Sequence, residues 1–417
     1  MAKLKGFIID ILKKHEWLRR SARTTVWGIR RFLYKQVQGR KPINKNQVLF
    51  ETFMGRQYGC NPRAIYEYML SDERFDDCEF VWVFKDHSKK ELFPQLERSR
   101  IVIYKSKEYF DAVATSAVVV TNSNLEDRIT RKKDQCFMQT WHGTPLKRLR
   151  CDIEVEKGNA ANSLTEIRNR NDIDVKRYDY FLSPSAFASE KFISAFNLEA
   201  LGLKDIIAEI GYPRNDKLAT ADEIKSAIIK EELGIAKDKK VILYAPTFRD
   251  NKHDSAKGYI HDDELDFDRF QKELADEYVI VFRTHYFIAN RFDFSKYEGF
   301  IYNASDLDDI TDLYLIADVL ITDYSSVFFD FANLNRKMVY YMYDLEEYKN
   351  DIRGFYISLD ELPGRIVTTE DQLLDAIKED DDYNEKFKIF NEKYNSLEDG
   401  NSGKRAAELV YERLHKN

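Results

Sequence analysis

The stretch Asp318-Val-Leu-Ile-Thr-Asp-Tyr-Ser-Ser-Val-Phe-Phe-Asp330 holds a strand, a turn and a helix start in sequence. Its apolar run ends at Thr322-Asp323, which is typical of a buried strand that reaches the edge of a sheet. Ser325 and Ser326 follow, and the phenylalanines after them suit the core-facing side of a helix. Hydroxyls and free backbone N–H groups at a helix start bind anions. This turn is therefore a predicted phosphate site.

The two aspartates of this stretch need a separate explanation. Asp323 and Asp330 would repel a bare phosphate, so we expect them to accept hydrogen bonds at the helix start or to bind polyol hydroxyls. Helix capping is the alternative reason for the serines, but capping alone explains one serine better than two.

Short apolar runs alternate with helical segments in both directions from this stretch. Alternation of this kind predicts parallel sheets with crossover helices, hence an α/β doubly wound architecture. Because the strands form two successive series, we predict two Rossmann-like domains that face a central cleft. The predicted divisions are an arm over 1–45 and domains over 46–222 and 223–417. The predicted strands are 48–52, 79–84, 101–104, 117–121, 136–141, 178–182, 206–210, 241–244, 278–283, 300–302, 319–322 and 338–341.

A second strand end carries Gln139-Thr-Trp-His-Gly-Thr-Pro-Leu146. We expect the strand to run to Trp141 and a helix to begin at Thr144-Pro145, so that His142 lies in the turn between them. Gly143 lets the backbone approach a ligand closely. A neutral histidine in such a turn can accept a proton from an attacking hydroxyl. The alternative is a histidine that is hydrogen-bonded to its own turn.

A third strand end, Val279-Ile-Val-Phe-Arg-Thr-His285, places Arg283 and His285 on one side of the strand, because residues two apart face the same way. Two groups that can carry positive charge suit a phosphate or diphosphate. The alternative is an arginine paired with a nearby carboxylate and an exposed histidine. Thr247 and Arg249 follow the first strand of the second series and are placed to reach a nucleotide.

The acidic runs of the chain have no comparable strand-end position. We interpret them as solvated surface, and we predict neither a metal site nor a cofactor. These runs lie at 262–264 and 379–382.

Positive charge is concentrated at the amino end, although the net charge of the chain is -7. Residues 1–41 contain 12 Lys or Arg against two acidic residues, with apolar and aromatic residues at helical spacing between them. This composition predicts a helical arm that lies in an anionic membrane surface. Packing on the acidic body of the protein is an alternative. Nucleic-acid binding is a third, and the acidic remainder of the chain argues against it.

The cysteines and the apolar runs of the sequence indicate where in the cell the protein works. The 4 cysteines are widely spaced without a Cys-x-x-Cys pair, which indicates reduced thiols. Charges interrupt the first ten residues too early for a secretory signal, and no apolar run approaches the roughly 20 residues that span a bilayer. We therefore expect a peripheral protein at the cytoplasmic face of the cell membrane.

With these motifs in view, the sequence resembles the CDP-glycerol glycerophosphotransferase family, which includes the teichoic acid primases and polymerases. Five motifs carry the resemblance over residues 48–344, in the order that the family shows. They are Trp141-His-Gly-Thr-Pro-Leu-Lys147, Gly211-Tyr-Pro-Arg-Asn-Asp216, Tyr244-Ala-Pro-Thr-Phe248, Arg283 with His285, and Thr322-Asp-Tyr-Ser-Ser326 with Phe329-Asp330. The sequence departs from the family at Tyr286, where proline is expected, and at Arg336-Lys337, where many members have Lys-Pro.

The resemblance implies a GT-B fold, with the acceptor in the first domain and the nucleotide held mainly by the second. It implies that His142 is the catalytic base and that His285 acts with the paired serines on the donor phosphates. The implied reaction moves glycerol phosphate or ribitol phosphate from a CDP-polyol to a lipid-linked polymer and releases CMP. Wall teichoic acid, lipoteichoic acid and capsule are all open as the polymer. A GT-B glycosyltransferase or epimerase and a catalytically silent membrane scaffold are the competing interpretations.

Overall fold

The computed structural model describes residues 16–154, 163–220, 223–247, 253–254, 258–259, 265–284, 293–345, 354–380 and 382–416. The predicted site residues His285 and Arg249 lie outside these ranges, as do Tyr286 and the first 15 residues of the predicted arm. Two parallel sheets organise the described chain, and each is covered by helices.

The first sheet has seven parallel strands in the order β3-β2-β1-β4-β5-β6-β7. Alternate residues of each strand face opposite sides, and both sides are buried: Leu49 contributes to one core, whereas Val48 and Phe50 contribute to the other. Such burial on both faces is characteristic of parallel sheets. The strands are β1 Asn44–Glu51, β2 Glu79–Phe84, β3 Ser99–Ile103, β4 Ser116–Thr121, β5 Cys136–Gln139, β6 Tyr180–Ser183 and β7 Ile207–Glu209.

The second sheet has six parallel strands in the order β12-β11-β8-β13-β14-β15 and is likewise buried on both faces. Its strands are β8 Lys240–Tyr244, β11 Tyr278–Phe282, β12 Ile301–Asn303, β13 Val319–Thr322, β14 Lys337–Tyr341 and β15 Arg365–Val367. A small antiparallel pair, β9 His253–Asp254 and β10 Gly258–Tyr259, is separate from both sheets.

The described α-helices connect and cover these strands. They are α1 Glu16–Val37, α2 Cys60–Leu70, α3 Ser88–Leu92, α4 Lys107–Thr115, α5 Leu164–Val175, α6 Ala186–Ala195, α7 Asp216–Ala219, α8 Glu223–Glu232, α9 Phe267–Leu274, α10 Ile310–Ile316, α11 Val327–Phe331, α12 Glu370–Lys378, α13 Asn384–Tyr394 and α14 Ser402–Leu414. None of the helices in the described ranges is both long and apolar enough to cross a membrane.

The strand order places a binding crevice in each sheet. In both sheets the first strand of the series lies between the second and the fourth, at β2-β1-β4 and at β11-β8-β13. Crossover connections leave this point in opposite directions, so a crevice opens beyond the carboxyl ends of the two central strands. The predicted α/β architecture with two Rossmann-like series is confirmed, and all twelve predicted strands are present. The prediction missed β15 and the small β9-β10 pair.

One predicted helix start is wrong. No helix begins at Thr144-Pro145; the chain there stays extended and pairs with the second domain, since Tyr356 N–H donates to the Leu146 carbonyl at 2.8 Å. Asn61 is the second residue of α2, which begins at Cys60. The Asn61 side chain donates to the Thr140 carbonyl at 3.1 Å.

The last helix returns to the first sheet. Ala406, Ala407 and Val410 of α14 pack in the same core as β1, and Asp216 binds the first N–H groups of α14. The first sheet ends at Glu209 and the second begins at Lys240, on either side of the predicted division at residue 222, whereas α14 packs on the first sheet although it follows the second in the chain.

Candidate active site

A cavity of about 610 Å³ lies between the carboxyl ends of the two sheets. Residues of both domains line it, and the group includes six of the nine site residues that the sequence predicted. The predicted residues that line it are His142, Thr247, Arg283, Ser325, Ser326 and Asp330. The sheet crevices of the two domains thus open into one shared space.

His142 is oriented by the first domain. Its Nδ1 lies 3.0 Å from the carbonyl oxygen of Asn122, the residue that follows β4. A carbonyl can only accept, so Nδ1 carries the proton and Nε2 keeps its lone pair. The predicted alternative, a histidine bonded to its own turn, does not describe this contact.

The electrostatic environment keeps His142 neutral. Desolvation between the two domains is the largest cause that lowers the pKa of His142, to about 4, and the positive charges of Arg214 and Arg150 act in the same direction. The hydrogen bond to Asn122 opposes the shift. The residue nevertheless remains exposed to the open cleft. A neutral imidazole with a free Nε2 is suited to accept a proton.

The backbone before His142 is in an unusual conformation. Trp141 has a φ of 52°, in the left-handed region that large side chains rarely adopt. Its indole packs against Phe196 and Phe181 at ring-centroid distances of 5.1 Å and 5.9 Å. This packing holds the turn in place, and the turn directs His142 into the cavity.

Gly143 lies at a close approach of the two domains. A Cβ at this position would lie 2.8 Å from the Ser326 hydroxyl of the second domain. Because glycine has no side chain, the turn that holds His142 can lie this close to the turn that holds Ser326. The sequence predicted close approach to a ligand at this glycine; the structure shows close approach to Ser326, and the approach to a ligand stays a prediction.

A buried ion pair between Arg214 and Asp330 connects the first domain to the second. Arg214 donates to Asp330 at 2.7 Å and to the backbone carbonyl of His142 at 2.8 Å. Asn215 donates to the second carboxylate oxygen of Asp330 at 3.1 Å. Both oxygens of Asp330 are thus engaged within the protein, which gives this aspartate a structural role. Polyol binding by Asp330 stays a prediction.

The second domain contributes an oriented guanidinium. One nitrogen of Arg283, Nη1, donates to the backbone carbonyls of Ala304 and Leu307, at 2.6 Å and 2.5 Å. No carboxylate in the described ranges forms an ion pair with Arg283, so the predicted alternative of a carboxylate partner is not what the described chain shows. Desolvation lowers the pKa of Arg283, which nevertheless stays cationic at neutral pH.

The turn that holds Ser325 and Ser326 lies between the end of β13 and the start of α11. Ser325 and Ser326 precede α11, which begins at Val327, and both hydroxyls line the cavity. Asp323 accepts hydrogen bonds from the backbone N–H groups of Thr247 and Tyr324, at 2.8 Å and 2.6 Å. These bonds tie the ends of β8 and β13 together.

Sequence reasoning missed several residues of the site. Asn122 and Thr284 each follow a predicted strand directly, so the rule that ligands bind at strand ends points to both, whereas Arg150 carries no such local signal. Arg214 belongs to a motif that was expected to face the cleft without a stated role. Among the described residues, no group of three or more His, Cys, Asp or Glu side chains converges in a way that could hold a metal ion.

Comparisons with known proteins agree with this arrangement. A family model described as CDP-glycerol:poly(glycerophosphate) glycerophosphotransferase matches residues 33–412. The teichoic acid poly(glycerol phosphate) polymerase of Bacillus spizizenii is 37% identical over 378 residues, which are 89% of this chain and 94% of the relative. The teichoic acid glycerol-phosphate transferase of Staphylococcus aureus is 37% identical over 378 residues, which are 88% of this chain and 93% of the relative.

A solved structure is similar over nearly the whole chain. The wall teichoic acid polymerase TagF superposes with a TM-score of 0.83 at 33% sequence identity, over 97% of this chain and 98% of that one. The predicted GT-B fold is thereby confirmed. The motifs, the shared cleft and the extent of these matches establish that the chain is an enzyme of the CDP-glycerol glycerophosphotransferase family.

Proposed function

We propose that the enzyme transfers glycerol phosphate from CDP-glycerol to a terminal hydroxyl of a lipid-linked teichoic acid or capsule polymer and releases CMP. The observation that carries this proposal is the orientation of His142, whose Nδ1 is bound to Asn122 and whose Nε2 has no hydrogen-bond partner among the described residues. This base faces a cavity whose other wall carries Arg283 and the paired serines.

The chemistry is an in-line substitution at phosphorus. His142 Nε2 accepts the proton of the acceptor hydroxyl, and the oxygen forms a bond to the β-phosphorus of the donor. The bond between this phosphorus and the oxygen that bridges to CMP breaks, and CMP leaves with that oxygen. Arg283 and the hydroxyls of Ser325 and Ser326 stabilise the negative charge on the phosphates.

Further donor contacts belong to the same proposal. We assign Thr247 and Arg249 to the nucleotide, Asp323 to the orientation of Thr247, and His285 to the donor phosphates as the second catalytic histidine. Arg249 and His285 lie outside the described residues, so their assignment is based on the sequence alone.

The proposal extends to the place where the enzyme works. Several large apolar side chains of α1 are exposed, among them Ile29, Phe32 and Leu33 with 56%, 60% and 55% exposure. The arginines of the opposite face bind the body of the protein, as Arg19 does to Glu166 at 2.7 Å. We therefore propose that the outer face of α1 rests on the anionic cytoplasmic leaflet of the cell membrane.

The test of the reaction is CMP release from CDP-glycerol with a lipid-linked glycerol phosphate acceptor, with CDP-ribitol and UDP-sugars in parallel. We expect CDP-glycerol to be consumed and His142→Ala to lose about 10²-fold or more of the rate, because proton transfer by a positioned base contributes on this order. Binding of CDP-glycerol by this variant serves as the control for its fold. Turnover of a UDP-sugar without any CDP-polyol would refute the proposal in favour of a glycosyltransferase. Donor binding without turnover by the wild type would support a scaffold.

A further inference from the structure

A second cavity, of about 710 Å³, lies between α1 and α5. It contacts neither β8 nor any other strand of the second sheet, and one residue, Arg150, lines both this cavity and the active site. The two spaces are therefore adjacent, with the Arg150 side chain at their junction. We refer to the space between α1 and α5 as the arginine cavity.

Positive charge dominates the arginine cavity. Five arginines and two carboxylates, Glu166 and Asp172, line it. Glu166 is already bound by Arg19 and Arg23, at 2.7 Å and 3.1 Å. The lining arginines are Arg20, Arg23, Arg31, Arg150 and Arg170.

Three of these guanidinium groups have no carboxylate partner within the described chain: Arg20, Arg31 and Arg150. Arg31 donates to the backbone carbonyl of Asp127 at 2.7 Å, and Arg150 donates to the Asn124 amide oxygen at 2.9 Å. Neutral acceptors of this kind orient a guanidinium without neutralising it. Arg31 and Arg150 are partly removed from water, and unpaired cations in such positions are unfavourable unless an anion joins them, whereas Arg20 is exposed.

The position of Arg150 is itself strained. Its φ is 45°, in the left-handed region, and its guanidinium lies 5.7 Å from the ring of Phe196. Desolvation lowers the pKa of Arg150, and the charge of Arg170 contributes in the same direction. A conformation of this cost is typical of a functional position, because the surrounding structure has to maintain it.

We propose that the arginine cavity binds the phosphodiester groups of the acceptor polymer, so that the growing end reaches His142 past Arg150. The inference rests on the proposed function, since a poly(glycerol phosphate) acceptor carries one negative charge per repeat. Arg20 and Arg31 contact phosphates away from the reacting hydroxyl, and Arg150 contacts the phosphate nearest to it. The exposed apolar residues of α1 lie on a different face of that helix, so a lipid headgroup is the less favoured source of the same phosphodiester chemistry.

Binding of the acceptor without donor provides the test. The full chain is titrated with soluble glycerol phosphate oligomers of one unit and of several units, and heat release is measured at low and high salt. The variant R20Q/R31Q removes two lining cations, and R30Q/R40Q removes two cations of the same segment that do not line the cavity. We expect R20Q/R31Q to bind the longer oligomer about tenfold more weakly, with little change for the single unit, and R30Q/R40Q to match the wild type.

Kinetics separate this inference from the proposed function. R20Q/R31Q is expected to raise the KM for the longer oligomer while the KM for CDP-glycerol stays unchanged. Equal binding of the longer oligomer by the wild type and both variants would overturn the inference, and normal CMP release in the same samples would leave the reaction itself intact. Weaker binding of R20Q/R31Q to phosphatidylglycerol vesicles alone, with oligomer binding unchanged, would also overturn it and assign the cavity to lipid headgroups.

Discussion

His142 shows how residues far apart in the first domain prepare one side chain. Asn122 fixes the tautomer from the first sheet, and Arg214 places a positive charge beside the ring while it donates to the backbone carbonyl of the same histidine. The charge of Arg214 favours the neutral base over the imidazolium, whereas the contact with Asn122 sets the tautomer and opposes the lowering of the pKa of His142. The residue is thus ready to accept a proton before substrate arrives.

The pH dependence of turnover follows from this environment. Because the pKa of His142 is lowered, its base form persists to lower pH than in an ordinary histidine, for which the value is 6.5. Activity is therefore expected to be retained as pH falls through 6.5 and to be lost only as pH approaches the lowered pKa. The measurement is kcat/KM for CMP release against pH, with a second buffer series as control. An acidic midpoint at or above 6.5 would contradict the assignment.

Gly143 offers a second prediction at the scale of one residue. Gly143→Ala places a methyl group 2.8 Å from the Ser326 hydroxyl, so we expect a loss of stability of about 1 to 3 kcal/mol, typical of overpacking. The loss is measured as a decrease in the free energy of unfolding in urea. The double variant Gly143→Ala with Ser326→Ala removes the hydroxyl and is expected to recover most of the loss. If the single variant is as stable as the wild type, the two turns are not in contact in solution.

At the scale of an element, α1 has two chemically different sides. One side carries arginines and the buried Tyr34, which is 2% exposed, and it packs on the first domain. The other presents apolar residues to solvent. The sequence left membrane docking and packing on the protein as alternatives. The structure shows the packing, and the exposed apolar side keeps docking as a compatible proposal.

Docking by α1 is tested with vesicles. The variant I29D/L33D places two charges on the apolar side and is expected to reduce binding to phosphatidylglycerol vesicles by about tenfold or more. The control I224D/I228D makes the same change at two exposed isoleucines of α8, with 70% and 49% exposure, and should bind normally. Co-sedimentation gives the bound fraction, and turnover of a soluble acceptor should be equal in both. Equal vesicle binding by the two variants would exclude this side of α1 as the docking surface.

At the scale of the whole molecule, the cleft is closed at its base by polar contacts between the domains. Arg214 and Asp330, which are 116 residues apart in the chain, form a pair with side-chain exposures of 7% and 5%. Asp308 accepts from the Tyr58 N–H at 2.8 Å and pairs with Lys89 at 2.7 Å. These contacts set the distance between His142, the proposed catalytic base, and the proposed donor site.

Breaking the buried pair should be costly. Asp330→Asn leaves Arg214 without its counter-charge, and we expect a loss of about 3 to 5 kcal/mol in unfolding free energy. Replacement of both partners, in R214M/D330L, is expected to cost less than the single change, because no buried charge is left unpaired. Denaturant unfolding compares the variants. A wild-type stability for Asp330→Asn would show that the pair is not buried in solution.

Local patterns determined much of this protein. Apolar runs of strand length between helical segments predicted both sheets, because burial on two faces leaves a continuous apolar signature in each parallel strand. The rule that ligands bind at strand ends then located His142, Arg283 and the paired serines, since their positions depend on the strand that precedes them. The agreement of five motifs indicated the family.

Only the tertiary structure decided what these residues contact. The segment after Gly143 is extended because its backbone groups form hydrogen bonds with residues of the second domain. The local sequence pattern that predicted a helix there carries no information about these distant partners. The Asn122 carbonyl, the Arg214–Asp330 pair and the arginine cavity likewise depend on groups far apart in the chain. Periodicity and propensity report on neighbours within a few residues, whereas charge pairing and close approach are set by the packing of whole domains.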